Sequence, residues 1–349
     1  MDFIFFDIEC ACVFKETAKI CAFGYCLTDE NFNIVAKEDI LINPRGKFHL
    51  TGSHGKEGLV LPYDYTDFKK HKTFPEEYKK ICSLLQADDR LVFGHAISND
   101  VKYLNLETRR YKLKPFSFTF YDTQLIYMTK LNSFSRQFGL ESITQDLNVE
   151  FTPHRAVDDA YATMRIAQAM CEADGVSLPG LIEKYGIIAG RTAGGKTVPV
   201  TSEAKIKHAE DVRQAREAKE KAHAEFCNYV EKNRPKKRSS AVRNGPWQGK
   251  NFCFSREIEV DAQRSKEYVR QIYGRGGMYV FRTENCMVYV MRTAEETARS
   301  QAVLANGGIV LTEEQFCQWL EEVPMPANLP TKNCERDPKE SSTEEGASL

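Results

Sequence analysis

The chain opens on an uninterrupted apolar run, Phe3-Ile4-Phe5-Phe6. A run of this kind fits a central strand buried on both faces. Two further strand-like stretches, near 19–27 and 33–42, flank the polar turn Thr28-Asp29-Glu30-Asn31 and predict an antiparallel meander. Residues 43–74, rich in Gly, Pro, His and Lys, read as irregular. A helix is predicted from Pro75, with Tyr78, Ile81, Cys82 and Leu85 on one face. Leu91-Val92-Phe93 is a short strand, and helical periodicity covers about 98–111, 123–131 and 139–147. The last strong helix runs from about 155 to 173 and stops before Gly175. This order specifies an α/β fold with a mixed sheet.

The pattern changes after residue 185. Residues 186–202, rich in Gly, Thr and Val, read as a linker. Residues 203–232 hold no Gly or Pro and alternate in charge, which predicts a helical rod of about 45 Å. Residues 234–243 form a basic hinge that includes Lys236, Lys237, Arg238 and Arg243. A second α/β pattern occupies roughly 247–324, and the polar end, from about 327, is expected to be disordered. The expected domains are 1–185, a linker 186–248, a second domain 249–325 and a tail 326–349.

Composition sharpens this division. The 349 residues are 42% hydrophobic and 28% charged, as in globular proteins, with a net charge of −1. The average conceals 22 basic against 26 acidic residues in 1–185 and 16 against 7 in 186–256. A positive connector between acidic blocks excludes a uniformly basic nucleic-acid coat. The 11 cysteines form no CxxC pair and several sit in apolar runs, which points to reduced thiols and a cytoplasmic location. No signal peptide and no membrane span is expected.

Candidate chemistry gathers in the first domain. The apolar strand ends in Asp7-Ile8-Glu9, and i,i+2 spacing places both carboxylates on one face of the strand. Two adjacent acids repel unless a cation holds them, which suggests a hard metal, the alternative being a pair of solvated surface acids. Gly94-His95-Ala96-Ile97-Ser98-Asn99-Asp100 leads from a strand into a helix with Asp100 in its first turn. His154-Arg155-Ala156-Val157-Asp158-Asp159 enters the last helix. His154 and Asp159 can face one point only if His154 lies before the helix or at its start.

Together these motifs resemble the DnaQ-like, or DEDDh, family of 3′–5′ exonucleases (the RNase T and DNA polymerase III epsilon type), over residues 2–173. Asp122-Thr123 and Thr163 also fit the pattern. The resemblance implies an RNase H-like fold, a mixed five-stranded sheet with helices on both faces, and two divalent cations, Mg²⁺ or Mn²⁺. Asp7, Glu9 and Asp159 would hold one cation, and Asp7 with Asp100 the second. His154 would be the general base, while Cys10, Ala11, His95 and Asn99 would meet the substrate. Cys10, Ala96 and Asn99 depart from the family's usual residues at positions that bear on how the terminal base is gripped. The implied activity is hydrolysis of the terminal phosphodiester at the 3′ end of single-stranded nucleic acid, DNA rather than RNA, releasing nucleoside 5′-monophosphates.

Two more features need placing. Gly190-Arg191-Thr192-Ala193-Gly194-Gly195-Lys196-Thr197 matches the P-loop letters GxxxxGK[ST]. Val198-Pro199-Val200 follows, however, where a P-loop would open a helix, so the match reads as linker. Residues 249–323, with Gly276-Gly277 after the first helix and Trp319 in the last, resemble a BRCT domain, a small four-stranded parallel α/β unit. That resemblance implies a protein partner or a DNA end as its ligand, with Ser255 and Arg299 as possible phosphate contacts. The alternative function is a catalytically weak nuclease-fold scaffold, docked through this domain to a DNA repair or replication partner.

Overall fold

The structure, a computed structural model, describes residues 1–48, 61–147, 149, 154–236 and 244–324. They fall into two compact units, Met1–Asp211 and the chain from Val212 onward. The expected tail and the hinge residues Lys237, Arg238 and Arg243 lie outside the described residues. No helix of the described residues is long and apolar enough to cross a membrane.

In the first unit, β1 (Asp2–Phe14), β2 (Thr17–Thr28) and β3 (Ile34–Leu41) form the expected antiparallel meander. Then come α1 (Phe74–Leu85), β4 (Arg90–Gly94), α2 (Ser98–Arg110), β5 (Phe118–Asp122) and α3 (Thr123–Lys130). The helices α4 (Leu140–Asp146), α5 (Ala156–Asp174) and α6 (Leu178–Lys184) follow. Thr73 and Glu76 close a capping box at the start of α1, and Gly175, at φ 64°, ends α5. The apolar run of β1 is buried as its pattern requires: Phe3, Ile4, Phe5 and Phe6 are each at most 1% exposed. Each contributes about 1.5–3 kcal/mol by burial. β1 lies between β2, antiparallel to it, and β4, parallel to it, with α5 packed over β1 and β2.

The sheet has seven strands rather than five. The five expected ones stand in the order β3-β2-β1-β4-β5, and a hairpin of β7 (Gly190–Ala193) and β8 (Lys196–Val198) extends it. The short strands β6 (Ile187–Ile188) and β9 (Thr201–Ser202) pair with each other on either side of this hairpin in sequence. The stretch expected to be a linker is therefore folded, and the P-loop letters spell a hairpin. Gly194 and Gly195, at φ 60° and 76°, supply the two left-handed residues of a tight two-residue turn. Buried Asn105 on α2 fastens it, its Nδ2 donating to Thr192 Oγ1 (3.1 Å) and Thr197 Oγ1 (3.0 Å).

The long helix α7 (Glu203–Asn233) begins in the first unit and ends in the second. Its residues Phe226 and Val230 are fully buried in the second core, as is Trp247, so that core takes side chains from the range expected to be linker. The rest of the second unit is β10 (Asn251–Phe254), α8 (Arg256–Glu259), α9 (Ala262–Gly274), β11 (Met278–Tyr279) and β12 (Val288–Met291), then α10 (Ala298–Ala305), β13 (Ile309–Thr312) and α11 (Glu313–Glu322). Its four strands are all parallel, in the order β11-β10-β12-β13. Trp319 packs against Trp247, with ring centroids 4.8 Å apart. Buried Glu259 accepts hydrogen bonds from Tyr279 Oη (2.8 Å) and Arg256 Nη1 (3.2 Å) and meets His223 Nε2 of α7 at 3.2 Å.

The hairpin contacts yield a first prediction. Asn105→Ala should lower stability by about 1–3 kcal/mol, the cost of taking the amide partner from the buried Thr192 hydroxyl, measured as a lower urea midpoint. Lys196→Ala, in the exposed hairpin, should leave the midpoint unchanged. Equal effects from both would show that Asn105 does not hold the hairpin.

Candidate active site

Asp7 and Glu9 project from β1 on the same face, with Ile8 between them. Across β2 and β3, Asp7 is in register with Gly24, and Gly24 with Asp39. An ideal Cβ at Gly24 would lie 2.0 Å from the carbonyl carbon of Ala156 and 2.1 Å from the nitrogen of Val157. Glycine at this point thus lets the first turn of α5 rest backbone-on-backbone against β2, beside Asp7. Immediately after Glu9 the β1–β2 pairing is irregular, as at a bulge, a common device near functional sites.

That first turn carries Asp159, 7% exposed. His154 precedes the helix, in left-handed backbone conformation at φ 67°, and its backbone N–H donates to Asp159 Oδ2 (3.1 Å). Glu9, His154 and Asp159 each present a ligand atom, all within 4.8 Å of one another. Asp158 turns instead to Lys37 of β3, 3.6 Å away. Asp7, Glu9, His95, His154 and Asp159 line a cleft of about 400 Å³, with Gly139–Glu141 as a further part of its wall. Asp100, 6% exposed, is buried behind this face, its carboxylate close to the Ile8 backbone and to Asp7.

The other candidate residues are placed differently. His95 lines the cleft, yet both its nitrogens are engaged internally: Nδ1 with Thr123 Oγ1 (3.2 Å) and Nε2 with the Phe138 carbonyl (3.0 Å). Cys10 is partly buried against the main core. Ala11 is buried in a separate cluster with Cys21, Leu61 and Phe68, which withdraws it from the cleft. Asn99 is exposed on the first turn of α2 and does not line the cleft. Ala96 adopts φ 50°, costly for a residue with a Cβ, and Asp122 Oδ1 accepts its N–H (3.0 Å) and so holds the β4–α2 turn. In the second unit, Ser255 is the buried residue before α8, and Arg299 lies in the first turn of α10 beside Tyr289. Sequence reasoning missed Gly24 and Asp39. The register that sets Gly24 opposite Asp7, and Asp39 opposite Gly24, is not carried by the local pattern of either strand.

Electrostatically the cleft is under strain. Burial, then Glu9, then Asp39, push Asp7 up to about 8. Glu9 is pushed up to about 8 by burial, then by Asp159 and Asp39. Asp159 is also raised to about 8, by burial and then by Asp7, against the opposing hydrogen bond from His154. Burial and Asp7 hold Asp100 well above the usual carboxylate range. Clustered oxygen donors that resist ionising together fit a hard divalent cation, which would favour their charged forms.

A pH dependence follows. These carboxyls ordinarily titrate at 3.8 and 4.5 but near 8 in the folded protein. Between those values the folded chain holds protons that the unfolded chain releases, so this contribution to stability is present below the ordinary values and is lost as pH rises toward about 8. A divalent cation binds the deprotonated ligands. Mn²⁺ should therefore raise the melting temperature more at about pH 8 than at about pH 5, as read by calorimetry. A metal-induced shift independent of pH would contradict this account of the site.

Residues 4–167 match the family model described as Exonuclease (RNase_T). No curated protein matches the chain. Among solved structures, the chain is similar to the 3′-exonuclease that recognises the 3′ end of a histone mRNA stem-loop, at 15% identity and a TM-score of 0.44, over 58% of this chain and 71% of that one. A full-length 3′-exonuclease gives 17% identity and a TM-score of 0.45, over 58% and 91%. Exonuclease I of E. coli with a bound oligonucleotide gives 18% and 0.42, over 52% and 42%. Residues 4–167 of the first unit are thus similar to an exonuclease domain, and the enzyme class expected from the sequence, an exonuclease hydrolase, stands with it.

Proposed function

We propose that the chain is a metal-dependent 3′–5′ exonuclease that removes nucleoside 5′-monophosphates from single-stranded ends, DNA in preference to RNA. The observation that carries this reading is the convergence of Glu9, His154 and Asp159 in the cleft of the exonuclease domain. Asp7, Glu9 and Asp159 would hold one divalent cation, and Asp7 and Asp100 the second, either Mg²⁺ or Mn²⁺. Bound there, the pair supplies charge stabilisation for an in-line phosphoryl displacement.

The chain's own residues do the rest. His154, at the rim of the carboxylate cluster, takes the proton of the attacking water. The hydrogen bond from its backbone to Asp159 fixes it relative to that carboxylate. The wall Gly139–Glu141 confines the terminal nucleotide beside the carboxylates. In this reading the second unit is a BRCT-like docking module, supported by its four parallel strands and by Trp319 packed on its core, and the protein acts in the cytoplasm.

The test uses end-labelled single-stranded DNA and RNA with Mg²⁺ or Mn²⁺. Asp7→Ala and Asp159→Asn should each cut the rate by about 10²-fold or more, as expected for loss of a principal electrostatic stabiliser. His154→Ala should lower kcat far more than it changes KM. Full activity in Asp159→Asn would refute the assignment, and label released as internal fragments would refute terminal cleavage.

A further inference from the structure

The start of α5 is held from β3 as well as from below. Its N-cap residue, Arg155, makes no side-chain capping hydrogen bond, so the first-turn N–H groups need other acceptors. The Ala156 N–H finds one in Tyr63 Oη, 2.9 Å away. The Tyr63 hydroxyl donates in turn to Asp39 Oδ2 (3.0 Å), and Arg155 Nε donates to the same oxygen (3.3 Å). The ring of Tyr63 is fixed edge-on against Phe68, with centroids 5.5 Å apart at 66°.

Asp39 is an expensive choice for this post. Its side chain is 10% exposed, and its Oδ1 is buried without a hydrogen-bond partner. It also stands in register with Gly24, in the row that ends at Asp7, and so adds negative charge to a crowded cleft. A structure that needed only to pack would do better with an apolar residue. What Asp39 does provide is one oxygen that gathers a phenol from the 61–65 segment and a guanidinium from the residue after His154.

We propose that Tyr63 is a positioning residue: with Asp39 and Arg155 it clamps the start of α5 and thereby sets where His154 and Asp159 stand. The proposal rests on the nuclease reading of the cleft. Neither Tyr63 nor Arg155 lines the cleft, so they act through the helix start and not on substrate. Because the left-handed turn at His154 joins directly to Arg155, a loosened first turn moves the imidazole and Asp159 together.

The test uses full-length Tyr63→Phe, which removes only the hydroxyl, with Arg155→Ala as a second variant at a half-exposed side chain. Tyr63→Phe should lower kcat about tenfold or more with KM nearly constant, the cost of misplacing a reacting group by a fraction of an ångström. Amide hydrogen exchange at Ala156–Asp159 should quicken, while exchange in the second unit stays as in the wild type. Asp39→Asn, which keeps an acceptor, should lose less than Asp39→Ala. Unchanged exchange in Tyr63→Phe overturns the clamp, and faster exchange with unchanged kcat overturns its bearing on His154. If the wild type cleaves no nucleic acid, the nuclease reading falls, and calorimetric Mn²⁺ binding then decides the clamp alongside exchange. Weaker binding with faster exchange supports it, and unchanged values overturn it.

Discussion

The closeness of α5 to β2 is the constraint on which the cleft depends. A helix that rested on side chains would stand off the sheet, and its first-turn carboxylate would fall short of the acids on β1. At Gly24 the backbone of Ala156 and Val157 occupies the space where any other residue would place its Cβ. Register does the rest, because Gly24 lies directly opposite Asp7. One missing methyl group thus brings together acids that are about 150 positions apart in sequence.

This closeness has an electrostatic consequence. Asp7, Glu9, Asp100 and Asp159 are gathered with Asp39 nearby, and the described cleft brings no lysine or arginine to their shared face. The compensation on hand is partial: the N-terminal end of the α5 dipole, one backbone N–H on Asp159, backbone N–H groups at Asp100, and Arg155 and Tyr63 on Asp39. Local rules for stable packing are broken here and kept elsewhere, in the aromatic core behind β1 where Phe3, Phe5 and Phe93 interlock. That division fits the cation site proposed above. The core supplies the stability, and the cleft gathers carboxyls that resist ionising together.

Much of this was legible in the sequence, and the reasons it was or was not are physical. The apolar run of β1, the i,i+2 acids and the stop at Gly175 are local, and each stands where its own neighbours in sequence put it. Local pattern does not separate Asp158 from its neighbour Asp159, and it is the fold that turns Asp158 toward Lys37. The hairpin at 190–198 was missed because Gly194-Gly195 suits a flexible linker as well as a tight turn. The partner that decides between them, Asn105, lies 87 residues away from Thr192. Asp39 was hidden in a strand whose pattern gave no sign of which residue it would oppose. Ala11 went astray because the irregular pairing after Glu9 breaks simple alternation along β1 and sends the side chain into a core.

The same reasoning separates the two histidines of the cleft. Burial lowers His95 to about 4, so near neutral pH its ring is uncharged and carries a single N–H. The Phe138 carbonyl can only accept, which places that proton on Nε2, while the Thr123 hydroxyl lies 3.2 Å from both Nδ1 and the Gly94 carbonyl. Gln124 Nε2 donates to the same carbonyl at 2.7 Å, so side chains on two elements pin the strand of chain that leads to the Gly139–Glu141 wall. His95 is therefore committed to holding the wall. His154 carries no such commitment through its side chain among the described contacts, and its imidazole converges with Glu9 and Asp159 instead. Of the two rings that line the cleft, one is committed to the fold through both nitrogens, and the other turns to the carboxylates of Glu9 and Asp159.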